Sequence, residues 1–192
     1  MSSVAIVGAG VAGSSAALHL VQLGHTVTLL DKGRGAGGRC STRRQESLTY
    51  DFGAQYFTAR DARFAEVVRT LARDGWVSNW ECRSGVLGSQ GFHDIRPSVA
   101  RWVGTPGMSS LVKGLQQTLG DVRFGQTVEG LKREPEGWFL LGLEEPLGPF
   151  DAVLLTPPAP QARALLQAHV PELAQELDAI HYEPCLAAMV EL

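Results

Sequence analysis

At residues 4–13 the sequence reads VAIVGAGVAG, four apolar residues followed by three glycines in the pattern G-x-G-x-x-G. An unbroken apolar run is typical of a parallel strand that is covered on both faces. In this pattern Gly8 permits a sharp turn, Gly10 lets a pyrophosphate approach the bare backbone, and Gly13 lets the next helix pack closely on the strand. The free N–H groups at the start of that helix would face the phosphates.

The surroundings of the glycines favour a dinucleotide-binding turn over a glycine turn in an ordinary α/β core. A helix is predicted at residues 11–23, with Leu18, Val21 and Leu23 on its apolar side and Gly24 at its end. A second apolar run at residues 27–30 then leads to Asp31. An acidic residue about 20 positions after the last glycine accepts hydrogen bonds from ribose hydroxyls. Asp31 is therefore a candidate ribose ligand.

The composition of the chain restricts its class. The 192 residues are 44 % hydrophobic and 19 % charged, which predicts a globular protein of one or two domains. A net charge of −3 without a dense basic run argues against nucleic acid or an anionic membrane as the main partner. Three scattered cysteines indicate neither a disulfide framework nor a zinc site, and no metal is expected. Without a signal peptide pattern or a membrane span, we expect a cytoplasmic location.

A second glycine-rich segment follows Asp31 directly and reads KGRGAGGR at residues 32–39. Such a segment exposes many backbone N–H groups, and Arg39 can fork onto phosphate oxygens. The arginine pairs Arg34/Arg39 and Arg43/Arg44 are interpreted as a phosphate site. A flexible solvated loop is the alternative. A second alternative is that Lys32 and Arg34 bind the 2′-phosphate of NADP. The carboxylate of Asp31 argues against this alternative, because a carboxylate prefers a free hydroxyl to a phosphate.

Residues 50–57, YDFGAQYF, place small residues between aromatic ones. This arrangement suits a backbone that runs close to a flat ring, although a plain core strand explains it equally well.

Periodicity predicts the remaining elements. Further helices are expected at residues 60–73, 109–119, 161–168 and 172–180, with a serine capping the second of them. Short antiparallel strands are expected between residues 76 and 102, where His93 and Asp94 would form a loop pair. Runs at residues 122–124, 127–133, 138–143 and 150–155 predict a β-meander that feeds a buried parallel strand at 152–155. Another strand is expected at residues 181–192.

In these motifs the chain resembles the renalase-like flavoproteins of the flavin-containing amine oxidase superfamily. The resemblance covers essentially the whole chain. It rests on the motifs at residues 8–13, 31–32, 37–39, 51–56, 105–111, 150–153, 156–158 and 182–191. The GGR triplet at residues 37–39 points to the flavin superfamily, and GAQY at residues 53–56 points to the renalase-like branch.

The resemblance implies an α/β fold, with a Rossmann-like FAD-binding domain of the glutathione reductase type 2 and a β-meander, plus part of a β-rich substrate domain. The FAD-binding domain would comprise residues 1–75 and 104–168, and residues 76–103 and 169–192 would belong to the substrate domain. The implied cofactor-binding residues are Gly8, Gly10, Val11, Ala12, Gly13, Asp31, Lys32, Gly38, Arg39, Gly53, Ala54, Gln55, Tyr56, Val128, Thr156 and Pro157. Gly8 to Gly13 and Arg39 would contact the phosphates, and residues 54–56 would approach the isoalloxazine.

The resemblance implies oxidation of a small molecule, either an amine or a dihydronicotinamide compound such as an NAD(P)H-type dinucleotide, by hydride transfer to FAD. No side chain is assigned a catalytic role, although His181, Tyr56 and Tyr182 are candidates for the substrate side. Members of the resembled family are longer, so we expect a fragment or a truncated form that another segment completes. The alternatives are an NAD(P)-dependent dehydrogenase and a non-catalytic nucleotide-binding module.

Overall fold

The structure is a computed structural model that describes residues 1–46, 48–81, 84–94 and 98–189. Its strands, in chain order, are β1 Ser3–Val7, β2 Thr26–Asp31, β3 Thr42–Gln45, β4 Leu48–Asp51, β5 Phe57–Thr58, β6 Val77–Asn79, β7 Gly85–Gly88, β8 Gly91–Asp94, β9 Arg101–Gly104, β10 Val122–Phe124, β11 Gly130–Glu134, β12 Gly137–Leu141, β13 Leu147–Phe150 and β14 Ala152–Leu155. Its helices are α1 Val11–Gln22, α2 Ala62–Arg73, α3 Ser109–Gln116, α4 Ala159–Leu166 and α5 Pro171–Glu176, with 3₁₀ turns at Gly38–Cys40 and Leu177–Ala179.

A parallel sheet in the order β10–β2–β1–β14 lies at the centre of the molecule. Ile6 of β1 is in register with Leu29 of β2 and with Leu154 of β14. Ile6 and Leu29 are fully buried, as expected for inner strands covered on both faces. This sheet confirms the predicted α/β class. The expectation that residues 152–155 are buried is wrong, because β14 is an edge strand and Leu154 is 38 % exposed.

Different layers cover the two faces of the sheet, because side chains alternate along each strand. Val4, Ile6 and Leu29 pack with Ala17 of α1 in one core cluster. Ala5 and Leu30 point to the other face and pack with Leu140 and Phe150 of the antiparallel meander β11–β12–β13. The predicted meander is therefore present for β11, β12 and β13, and it covers one face of the dinucleotide-binding sheet. Residues 122–124, which were also predicted to belong to the meander, instead form β10 of the parallel sheet.

The fully buried residues of helix α1 are small, and of its predicted apolar side only Leu18 packs against a core cluster. Its buried residues are Gly13, Ser14 and Ala17. Val21 and Leu23, which were predicted to face the core, are 37 % and 61 % exposed. Small side chains bring the helix axis close to the strand, and this close approach leaves the large residues at its end in solvent. Gly24 ends the helix at φ +84°, as predicted.

A second antiparallel sheet, β5–β9–β6, packs with α2 and α3 around Val68, Leu71, Val77 and Leu111. The predicted antiparallel strands between residues 76 and 102 are confirmed. His93 and Asp94, expected in a loop, instead lie in β8 of a hairpin. The expected C-terminal strand is wrong for residues 181–189, which form neither helix nor strand, and residues 190–192 lie outside the described part of the chain. The proposed domain boundaries stay a prediction.

Candidate functional site

A cleft of about 730 Å³ opens at the carboxyl ends of β1, β2 and β14. Ligands of parallel sheets bind at this edge, where the loops after the strands meet. The predicted site residues that line the cleft are Gly8, Gly10, Val11, Ala12, Asp31, Lys32, Gly38, Arg39, Val128, Thr156 and Pro157. The fold therefore brings together, around one cavity, residues that are separated by more than a hundred positions in the chain.

The three glycines of the first turn have different surroundings. Gly8 adopts φ +103°, and a Cβ there would lie 2.6 Å from the hydroxyl oxygen of Thr156. Gly13 does not line the cleft; a Cβ there would overlap the carbonyl oxygen of Gly8, so this glycine permits close packing of helix on strand. Gly10 precedes the first turn of α1, and a Cβ there would meet only Gly38, at 4.0 Å. Gly10 thus leaves an open approach to the helix N-terminus.

Asp31 connects the two glycine-rich loops. One of its carboxylate oxygens accepts a hydrogen bond of 2.7 Å from the N–H of Ala9, and the other accepts one of 2.7 Å from the N–H of Gly33. Each carboxylate oxygen can accept a second hydrogen bond. The side chain is held in place by the backbone while it keeps acceptor capacity towards the cleft, which suits hydroxyl donors such as those of a ribose.

The second glycine-rich segment divides its cations between two cavities. Lys32, Gly38 and Arg39 line the cleft, whereas Arg34 lines a separate groove. The interpretation in which Lys32 and Arg34 jointly bind a 2′-phosphate is therefore not favoured. Gly38 adopts φ +56°, and a Cβ there would lie 3.3 Å from the Cα of Gly10. The two loops therefore approach each other backbone to backbone.

The structure does not place Gly53, Ala54, Gln55 and Tyr56 on the cleft wall. The N–H of Ala54 donates a hydrogen bond of 2.9 Å to the carbonyl of Arg39, which joins this segment to the cleft indirectly. Tyr56 is 41 % exposed, and its ring lies 5.6 Å from that of Trp80. The guanidinium of Arg101 lies 4.7 Å from the Tyr56 ring centroid. Exposure on this scale contradicts the plain core strand alternative at Tyr56.

Several cleft residues were missed by the sequence interpretation. They include Cys40, Gln126, Thr127, Glu129 and Gln161. Thr127 and Glu129 flank the predicted Val128, so their place next to it was the available signal. Burial raises the pKa of the Cys40 thiol, and this effect exceeds the opposing influence of the Arg39 charge. Cys40 is therefore a neutral thiol at neutral pH.

Two polar side chains outside the glycine-rich segments hold the first glycine turn. Gln116 of α3 donates hydrogen bonds to the carbonyl of Ala9 (3.2 Å) and to the hydroxyl of Ser14 (2.8 Å). The Thr156 hydroxyl lies 3.0 Å from the carbonyl oxygen of Val7 and 2.9 Å from that of Gly8, and it can donate to one of them at a time. No short sequence pattern indicates that Gln116 reaches this turn.

The N-terminus of α3 is capped by the β3–β4 hairpin. The prediction that a serine caps this helix is wrong. Met108 occupies the capping position and makes no side-chain cap. Instead, a carboxylate oxygen of Asp51 accepts hydrogen bonds from the N–H of Met108 (2.9 Å) and from the hydroxyl of Thr42 (2.6 Å). The Thr42 hydroxyl in turn accepts one from the N–H of Ser109 (3.0 Å).

Two of the residues that the sequence suggested for the substrate side, His181 and Tyr182, do not line the cleft. His181 is exposed and does not line it. The Tyr182 hydroxyl accepts a 3.1 Å hydrogen bond from the N–H of Ala159, at the start of α4, so its contact is with a helix end.

The described residues contain neither a candidate membrane span nor a candidate metal site. Among these residues no helix combines the length and apolarity needed to cross a membrane. Within the same ranges no group of three or more His, Cys, Asp and Glu side chains is arranged to hold a metal ion.

The cleft fits a dinucleotide such as FAD. Its volume is within the usual range of about 300–1,000 Å³ for cofactor sites. It presents an open helix N-terminus beside Gly10, an acceptor at Asp31 and a cation at Arg39. These features match the pyrophosphate and a ribose of a dinucleotide.

Comparison with protein-family models gives two matches. Residues 6–71 match a family described as an NAD(P)-binding Rossmann-like domain. Residues 86–192 match the family described as flavin containing amine oxidoreductase.

Curated relatives match over a short stretch. A 4,4′-diapophytoene desaturase from Staphylococcus haemolyticus is 44 % identical over 50 residues, which are 26 % of this chain and 10 % of the relative. The same enzyme from Staphylococcus aureus is 38 % identical over 50 residues, with the same coverage. The matched stretch is thus a tenth of the length of these relatives.

Solved structures match over most of the chain. A candidate protoporphyrinogen oxidase from Exiguobacterium superposes with a TM-score of 0.70 at 17 % identity, covering 91 % of this chain and 63 % of the other. Putrescine oxidase bound to putrescine gives 0.61 at 14 %, covering 85 % and 60 %. At these identities the similarity shows the fold alone. The chain spans about three fifths of the length of these structures.

Proposed function

Because this chain belongs to the flavin containing amine oxidoreductase family, we propose that it forms the FAD-binding part of a renalase-like oxidoreductase. FAD is the cofactor. The observation that carries the proposal is the cleft itself, in which the open backbone at Gly10, the carboxylate of Asp31 and the guanidinium side chain of Arg39 belong to one cavity.

In this proposal the glycine turn binds the pyrophosphate of FAD. Gly8, Gly10, Val11 and Ala12 provide backbone at the start of α1 that the pyrophosphate can approach, and Gly13 permits the close packing of this helix on the strand. Arg39, Lys32 and Gly38 approach the phosphates from the facing loop, so that positive charge offsets the negative charge of the pyrophosphate.

The remaining wall of the cleft would hold the adenosine. Asp31 would accept hydrogen bonds from the ribose hydroxyls with the acceptor capacity that Ala9 and Gly33 leave free. Val128 also lines the cleft, where its backbone would contact the adenine, and Thr156 and Pro157 would close the adenosine side.

The segment from Gly53 to Tyr56 would lead from the cofactor to the substrate. Ala54 is tied to the carbonyl of Arg39, so this segment begins beside the cofactor cleft. When bound, the flavin would serve as the acceptor of a hydride from the substrate. The protein would orient the ring with residues 53–56 and exclude water from it. Tyr56, Trp80 and Arg101 form a contiguous aromatic and cationic surface that suits a flat or anionic substrate group.

The substrate class is proposed to be an amine or a dihydronicotinamide compound such as NAD(P)H. The longer protein that the family implies would supply the other wall of the substrate site, and the cytoplasmic location stays a prediction. A bound FAD that no candidate substrate reduces would favour the non-catalytic nucleotide-binding alternative.

The test is anaerobic mixing of the FAD-loaded protein with NADH, NADPH and a panel of primary amines, while the visible flavin absorbance is recorded. We expect one of these classes to reduce the flavin and oxygen to restore the absorbance. Gly10→Val, which places a side chain in the cleft, is the matched control and should show no reduction. Hydride transfer between NAD(P)H and a substrate without any change in the flavin absorbance would contradict the proposal and support an NAD(P)-dependent dehydrogenase.

A further inference from the structure

A second cavity of about 750 Å³ adjoins the cofactor cleft and carries an excess of positive charge. Residues 37–40 of the glycine-rich segment line the cofactor cleft, whereas residues 33–36 and 41–44 line the second cavity. Its lining includes Arg34, Arg43, Arg44 and Lys113 and contains no aspartate or glutamate. We call this cavity the basic groove.

Three separate elements bring these cations together. Thr42 and Arg44 are two positions apart on β3, so they lie on the same face of the strand. Ser109 and Lys113 are four positions apart on α3 and lie on the same face of the helix. The hydrogen bond from the N–H of Ser109 to the Thr42 hydroxyl joins the two faces. Arg34 is added from the loop after β2.

The charges of the basic groove are not neutralised within the described residues. In these residues Arg34, Arg43, Arg44 and Lys113 have no ion-pair partner, unlike Arg69, which pairs with Glu66 at 2.7 Å. The nearby Asp51 carboxylate is directed to the N–H of Met108 and to the Thr42 hydroxyl. Four unpaired cations around a concave surface repel one another, and a bound anion would relieve this repulsion.

We propose that the basic groove binds the phosphate or pyrophosphate group of a small molecule, at a site separate from the FAD cleft. Guanidinium groups bind phosphate oxygens through two parallel hydrogen bonds, and a lysine adds a point charge. The groove is concave, and the whole chain carries a net charge of −3, so a small anion suits it better than a nucleic acid or a membrane surface. The ligand is therefore a phosphorylated metabolite that reaches the groove while FAD occupies the cleft.

The test is calorimetric titration of pyrophosphate into the protein in the presence of excess FAD. We expect saturable binding that weakens as salt is raised. The double variant Arg44→Gln/Lys113→Gln should weaken it by about tenfold or more, since each lost cation removes part of the attraction. Neither Arg44 nor Lys113 lines the FAD cleft. In protein without FAD, pyrophosphate binding that the double variant weakens therefore belongs to the basic groove, and binding that it leaves unchanged belongs to the cleft.

Arg60→Gln is the matched control, because Arg60 is an exposed arginine that lines neither cavity. Its affinity for pyrophosphate should equal that of the unmodified protein. The proposal is overturned if pyrophosphate does not bind, if the double variant binds it normally, or if Arg60→Gln weakens it equally. Tighter binding of an oligonucleotide or of anionic phospholipid vesicles than of pyrophosphate would overturn the small-molecule assignment. Circular dichroism spectra that match between variants exclude loss of folding as the cause.

Discussion

Replacing Gly10 and Gly13 separately by alanine should have different effects: Gly10→Ala should weaken FAD binding, and Gly13→Ala should lower the free energy of unfolding. The two glycines belong to the same motif and lie three positions apart, but their surroundings differ. A Cβ at Gly13 would overlap the carbonyl oxygen of Gly8 and lie 2.9 Å from the Thr156 hydroxyl oxygen. A Cβ at Gly10 would have only the Cα of Gly38 within reach, at 4.0 Å, and Gly10 lines the cleft in which we propose that FAD binds.

The magnitudes follow from these contacts. Overpacking against a backbone carbonyl is at the upper end of the usual range, about 3 kcal/mol. Alanine in a helix recovers about 1 kcal/mol relative to glycine, so Gly13→Ala should lower the free energy of unfolding by about 2 kcal/mol. Gly10→Ala removes only a favoured capping residue and should cost about 0.5–1 kcal/mol. Its affinity for FAD should instead fall by about tenfold, and Gly10→Val should abolish FAD binding.

The assay combines urea unfolding of the protein without FAD, followed by tryptophan fluorescence, with titration of FAD into the folded protein. Gly13→Ala should lose stability but bind FAD near the normal affinity at temperatures where it is folded. Gly10→Ala should do the reverse. Normal FAD affinity in Gly10→Ala, or full stability in Gly13→Ala, would refute the roles assigned to these two positions.

Three further predictions concern other parts of the structure. Asp51→Ala removes the acceptor for the Met108 N–H and the Thr42 hydroxyl, so the free energy of unfolding should fall by about 1–2 kcal/mol in urea. The hydrogen bond from Arg123 lowers the pKa of Asp121 in the folded protein. The ionised Asp121 therefore stabilises the folded protein above the unfolded pKa of about 3.9, and this stabilisation is lost as the pH falls through the folded pKa. Asp121→Asn should therefore be less stable than the unmodified protein at neutral pH and equally stable in acid, as measured by thermal unfolding at each pH. Because burial raises the pKa of Cys40 and Cys185 is exposed, peptide mapping after brief alkylation should find Cys185 modified before Cys40, and FAD should slow the modification of Cys40 further.

The central sheet could be predicted because its signals are local. The apolar runs at β1 and β2 and the glycines between them each impose a backbone conformation on their own residues. The membership of β14 in the parallel sheet also followed from its apolar character. Its exposure could not be predicted, because the number of strands beyond an edge depends on tertiary neighbours and not on the strand itself.

Other features depend on contacts between distant residues. The buried face of α1 consists of Gly13, Ser14 and Ala17, because the helix approaches the strand closely and excludes larger side chains. A periodicity argument selects large apolar residues, so it chose Val21 and Leu23 wrongly. Asp51 lies far from α3 in the chain, and a capping rule that considers only adjacent residues selected a serine in its place.

The same distinction between local signals and distant contacts holds for the site. Asp31 and most residues of the first glycine motif could be predicted to meet at one cleft, because the phosphate and ribose binding proposed for them needs particular residue types at fixed spacings. Gln116 was missed since its contact with Ala9 depends on how α3 crosses α1. The sequence also grouped Arg34 with Arg39, and only the folded loop separates them into the basic groove and the cofactor cleft.

Cofactor identity tests the central claim most directly. The purified protein, supplemented with FAD, passed through a desalting column and then denatured, should release about one FAD per chain by mass spectrometry. Before denaturation it should show the visible flavin absorbance, and Gly10→Val should release none. Retention of NAD(P) in place of FAD, or equal retention of FAD by Gly10→Val, would contradict the assignment of the cleft at Gly10, Asp31 and Arg39 as the flavin site.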